Sequence, residues 1–150
     1  MRGCMGLLLV TLLVAGCATY VPHADEITDV RVDLVNVEPE DVSIGSIEWD
    51  VTVRVANPNS FDLKLEYLEA TLDIGDTRLG TGGKKDITVP KYDDEEVTLT
   101  VHTSTLGIAS SILGVIQSKD FNYTMGAEVT YKTQEGPLRR RLETSGAMGR

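Results

Sequence analysis

Cysteine is nearly absent: Cys4 and Cys17 are the only two in 150 residues, and both fall at the extreme N-terminus. The body of the chain therefore has neither a disulfide staple nor a thiolate metal site. Histidine is equally scarce, with His23 and His102 alone. A catalytic triad, a histidine general base or an imidazole metal cage has almost nothing to work with, and no cofactor is expected. Basic residues are in deficit, 14 against 23 acidic, for a net charge of −9. A grip on a phosphate backbone needs a basic face, so nucleic acid is not an expected partner. What remains is ordinary for one globular domain: 41% hydrophobic, 5% aromatic and 25% charged residues, too short a chain for a multidomain enzyme.

The N-terminus reads as an address. Arg2 precedes an apolar run from Leu7 to Ala15, broken only by Thr11, which is too short to span a bilayer and has the order of a secretory signal. The run ends in Leu13-Val14-Ala15-Gly16-Cys17, which resembles a lipobox, the bacterial lipoprotein pattern of an apolar residue, two small residues and cysteine. The resemblance implies a diacylglyceryl thioether on Cys17 and cleavage between Gly16 and Cys17. Residues 1–16 are then the lipoprotein signal peptide, and two or three acyl chains on Cys17 hold the mature protein at a membrane. Cys4 leaves with the signal. Its removal discards Arg2 alone among the charges and takes the net charge from −9 to −10. Ala18 follows the cysteine where aspartate would favour inner-membrane retention, so in a cell with two membranes the outer one is favoured. Residues 17–27 contain a proline and small residues without apolar periodicity, and read as a lipid-anchored tether.

The rest alternates. From Ser46 to Ala56, Ile47, Trp49, Val51, Val53 and Val55 share one face while Glu48, Asp50, Thr52 and Arg54 share the other, the period-two pattern of a half-buried strand. Before it, Val30, Val32 and Leu34 flip phase to Val35 and Val37; after it, Leu63, Leu65 and Tyr67 flip to Leu68, Ala70, Leu72 and Ile74. Such flips suggest bulges or a change of sheet. A turn at Asp73 to Asp76 leads to a short strand at 77–80. Gly80, Gly82 and Gly83 then suggest a bend before a second piece at 86–89, ended by Pro90. Further strands are expected at 96–102, 121–132 and 138–144. Between them Leu106, Ala109, Ile112, Leu113 and Ile116 recur at helical spacing, with Thr103, Ser104 or Thr105 as N-cap candidates. The pattern indicates an all-β antiparallel sandwich of about seven strands with one short helix.

Asn57-Pro58-Asn59-Ser60-Phe61-Asp62-Leu63 follows the long alternating strand. A strand running into Asn-Pro-Asn resembles the WHy (water stress and hypersensitive response) domain of the group 2 late embryogenesis abundant proteins. Also similar are the glycines near the next bend, the strand ending at Val89-Pro90, the valine-rich strand after it, the helix, and Tyr123-x-x-Gly126. The resemblance covers about residues 28–147. It implies an immunoglobulin-like or fibronectin-III-like sandwich without catalytic residues, linked to tolerance of desiccation or other stress. The motif itself reads first as structural: the Asn57 and Asn59 amides can bond nearby backbone, and Pro58 presets a turn. A recognition role would require Asn59 or Phe61 to be exposed.

Other constellations read as ordinary surface. His102 is expected at a rim, and Asp93-Asp94-Glu95-Glu96 lacks the spaced ligands and glycine of a calcium loop. In Arg139-Arg140-Arg141, the first and third face one way and Arg140 the other, which favours pairing with the acidic surplus over convergence on one ligand. The wide apolar face of the helix, Ile108 and Val115 included, favours core packing over a ligand pocket. Three functions remain open: a non-enzymatic envelope lipoprotein that protects non-specific protein clients or surfaces by weak binding, an adaptor docking on one envelope complex, and a carrier of an apolar ligand. Oligomeric state is not legible.

Overall fold

A computed structural model describes residues 19–104 and 110–149. The expected signal and lipid-attachment residues, Gly16 and Cys17 among them, lie outside that range, as do Thr105, Leu106, Gly107, Ile108 and Ala109. Seven strands follow in order: β1 (Arg31–Ser43), β2 (Ser46–Ala56), β3 (Leu63–Ile74), β4 (Thr77–Val89), β5 (Asp94–Ser104), β6 (Phe121–Thr133) and β7 (Gly136–Met148), with α1 (Ser110–Ser118) between β5 and β6. They form two antiparallel sheets, β1-β2-β5 and β4-β3-β6-β7. The inward faces make one core between the layers, with Trp49, Tyr131, Leu65, Leu72, Leu99 and Met125 fully buried. The fold is thus the antiparallel sandwich that the alternation indicated.

β2 shows the simplest link from sequence to burial. Ile47, Trp49, Val51, Val53 and Val55 are all buried, and the residues between them are not. Both phase flips are bulges. β1 slips register between Leu34 and Asn36, so Val35 is the extra residue and Val37 returns to the core. β3 slips against β6 between Leu65 and Tyr67, which moves the buried set to Leu68, Ala70, Leu72 and Ile74. An inserted residue restores the inward face after a bend.

Two expectations at the level of elements need correction. The segment 77–89 is one continuous strand, not two pieces about a glycine bend. The glycines serve an approach instead: a Cβ on Gly82 would lie 2.6 Å from the Thr100 carbonyl oxygen, and one on Gly80 would lie 2.7 Å from Val101 Cγ1. Edge strands β4 and β5, from opposite sheets, thereby come together along one side of the sandwich. Thr103 is not a helix cap. It belongs to β5, where its hydroxyl accepts from Trp49 Nε1 at 2.9 Å and donates to the Leu79 carbonyl. β1 and β7 are also longer than the apolar pattern alone showed, β1 reaching Ser43 through Pro39. Both are edge strands, where proline and a charged surface are tolerated.

Candidate functional site

The connections gather at two ends. At one lie the β2–β3 and β4–β5 crossings between the sheets, the β6–β7 turn and the segment leading into β1. At the other lie the β1–β2 and β3–β4 turns and α1. The Asn-Pro-Asn motif sits at the first end as the β2–β3 crossing, and the structure shows what its amides do.

Asn57 and Asn59 are both buried. Asn57 Nδ2 donates to the carbonyls of Phe61 (2.9 Å), Val89 (3.1 Å) and Pro90 (3.0 Å). Its Oδ1 accepts from the Asn59 main-chain N–H and from Asn59 Nδ2, each at 2.9 Å. Asn59 reaches across to the segment before β1: Nδ2 donates to the Thr28 carbonyl at 2.8 Å, and Oδ1 accepts from the Thr28 N–H at 2.8 Å. Main-chain bonds from Asn57 N to Asp93 O and from Tyr92 N to Asn59 O complete the set. The motif is a polar latch tying three chain segments at one end of the sandwich. No buried side-chain polar atom among the described residues lacks a partner, and the amides have no free group to offer a ligand. Phe61 is half-buried, with its ring 5.3 Å from that of Tyr20.

The same end holds the residues read as a tether. From Tyr20 onward this segment is docked. Pro22 is buried and its carbonyl accepts from the Gln134 N–H at 3.0 Å, while Gln134 Nε2 donates to the Val21 carbonyl at 2.8 Å. His23 Nδ1 lies 2.6 Å from Glu135 Oε1, and the Ala24 N–H donates to Glu135 Oε2. Glu26 folds back through a short 3₁₀ turn, Ala24–Glu26, to accept from the Tyr20 hydroxyl and the His23 N–H, both at 2.8 Å. The bond to Glu135 raises the His23 pKa, and its carboxylate partner is held down at about 2, chiefly by His23. Composition alone gave no sign of this clasp, whose partners lie far apart in sequence. Tyr131 was another hidden participant: its hydroxyl accepts from the Val30 N–H at 3.0 Å, and burial pushes its pKa up to about 12.

The charged candidates form pairs. Arg139 and Arg141 both approach Glu128, at 3.7 and 3.2 Å, while Arg140 points the other way to Asp29 at 3.7 Å. Asp94 and Glu96 flank Arg54 at 3.3 and 2.8 Å. His102 is exposed beside Glu48 at 3.0 Å. No grouping of three or more potential metal ligands occurs among the described residues. Ile112 and Ile116 bury one face of α1 in the core, leaving Val115 exposed at the rim of a shallow hollow of about 290 Å³ beside Ile74 and Phe121. No helix among the described residues is long and apolar enough to cross a membrane.

No curated protein sequence is significantly similar to the chain. Among solved structures, a protein of Arabidopsis thaliana determined in solution is 19% identical with a TM-score of 0.58, covering 83% of this chain and 85% of that one. A protein described as late embryogenesis abundant is 18% identical with a TM-score of 0.41, over 82% of this chain and 72% of its own. A protein of Archaeoglobus fulgidus is 9% identical with a TM-score of 0.45, over 81% and 94%. The family model for Late embryogenesis abundant protein, LEA_2, matches residues 52–145, from the middle of β2 through most of β7, and includes the Asn-Pro-Asn motif with its partners at Phe61, Val89 and Pro90 but not Thr28. The chain belongs to the LEA_2 family of late embryogenesis abundant proteins.

Proposed function

We propose that this protein is a non-enzymatic envelope lipoprotein of the WHy type, anchored through acylated Cys17, that protects proteins or surfaces when water is scarce. The observation that carries the reading is the engagement of the latch: the family motif's polar groups all bond the chain's own backbone. Function then falls to the surface as a whole, which is acidic, paired and rich in strand. A net negative domain binds clients weakly and keeps the complexes soluble. Outer-membrane placement follows from Ala18 after the cysteine and belongs to the same proposal.

The experiment is to dry an unrelated enzyme with the chain from Thr19 onward, and in parallel with an equal mass of an inert acidic protein. More enzyme activity should survive with the former. Equal survival would remove the protective reading.

A further inference from the structure

The N-terminal clasp fixes more than the path of the chain. Cys17 precedes Tyr20 by three residues, so an acyl anchor there lies within about 10 Å of the Tyr20 backbone at full extension. Tyr20 is itself fixed, by its hydroxyl on Glu26, its ring beside Phe61, and the Pro22 and Gln134 main-chain bond. A lipid on Cys17 therefore holds the latch end of the sandwich at the bilayer. The β1–β2 turn, with its fully exposed Ile44, stands at the other end of β2, about 35 Å away at the usual strand rise.

The side chains at the latch end suit that position. Of five tyrosines, only Tyr20 and Tyr92 are exposed, at 51% and 73%, and both are at this end. Tyrosine prefers the headgroup layer, where its ring is shielded and its hydroxyl stays wet. Beside Tyr92 lies an open hollow of about 450 Å³, lined by Asp29, Arg31, Pro58, Asp93 and Asp94 as well. Asp29 and Asp94 meet Arg140 and Arg54 at 3.7 and 3.3 Å, and Arg31 meets Asp33 at 3.1 Å; such exposed pairs are weak enough to exchange, so the carboxylates and the tyrosine ring attract an ammonium group and the guanidinium a phosphate. Together they complement a zwitterionic headgroup, whereas the surplus of carboxylates repels an anionic one.

We propose that the latch end, through Tyr20, Tyr92 and the hollow beside Pro58, rests on a zwitterionic phospholipid surface and orients the sandwich end-on with Ile44 outermost. This rests on the anchored reading above, and the test separates the two. The chain beginning at Cys17 is coupled through its thiol, the only one it has, to a maleimide phospholipid in phosphatidylethanolamine and phosphatidylcholine vesicles, so the anchor is placed by chemistry and not by a cell. Two variants, Tyr92→Trp and Ile44→Trp, are compared in vesicles whose lipids are brominated near the headgroup. The native Trp49 is fully buried and reports in both that the fold is intact. Tyr92→Trp should lose most of the emission it adds, and Ile44→Trp should keep its own. Equal quenching of the two, quenching of Ile44→Trp alone, or quenching of neither would overturn the orientation. Quenching of Tyr92→Trp that is no weaker in phosphatidylglycerol-rich vesicles would overturn the headgroup preference. The mass of the N-terminal peptide from cells, with or without acyl chains on Cys17, judges the anchor separately.

Discussion

Asn57 does what no neighbouring residue type can. Its amide presents donors to three carbonyls and an acceptor to two N–H groups in one buried position. Removing it leaves buried carbonyls unpaired, so Asn57→Ala should cost about 3 kcal/mol and lower the melting temperature by about 10 °C. Asn57→Asp should cost more at neutral pH, because a carboxylate oxygen then faces carbonyl oxygens where the NH₂ group stood. Thermal melts of the three proteins in parallel check the order. At the surface, the His23–Glu135 clasp has a definite pH signature. Its His23 pKa is raised from 6.5, so that half of the contribution is complete below pH 6.5 and is lost as pH rises through the raised value. The Glu135 pKa is lowered from 4.5 to about 2, so its half is complete above pH 4.5 and is lost as pH falls towards 2. The Ala24 and Gln134 amides should therefore exchange most slowly, relative to core amides, between those limits. His23→Gln should abolish the alkaline loss of protection.

Strands read from apolar alternation came out where their partners impose nothing unusual. β2 is the plainest, and both phase flips around it became bulges at Val35 and Glu66. The Asn-Pro-Asn turn was legible as a local motif, but its carbonyl partners at Val89, Pro90 and Thr28 were not, because nothing in seven residues says which segments will arrive beside them. The role of the β4 glycines is hidden for a related reason: a glycine reads the same whether it bends a chain or admits a neighbour, and the neighbour here is β5. Thr103 shows the converse, a hydroxyl that local context offered as a cap and that Trp49 and Leu79 engaged instead. The glycine distinction is testable. Gly82→Ala drives a methyl against the Thr100 carbonyl and Val101, and should cost about 2 kcal/mol. Gly126 has open space where its Cβ would be and lies on the outer face between Thr71 and Glu143. Gly126→Val should be neutral or stabilising by about 0.5 kcal/mol. Denaturant midpoints of the two variants decide it.

At the scale of the molecule, chemistry and architecture divide the chain in a consistent way. One end is closed by a saturated latch and carries the route to Cys17; the other carries Ile44, Val42 and α1. Between them, among the described residues, the arginines sit beside carboxylates as pairs and clusters. The proposed function places the module at a membrane through Cys17, and on that proposal protection should depend on both the fold and the lipid. Survival of drying by host cells carrying the wild-type gene, a deletion or Cys17→Ala is the direct measurement. The deletion should lower survival, and Cys17→Ala should lower it as far although its sandwich is intact. Cells that survive drying equally well without the gene would show that protection is not what this protein does.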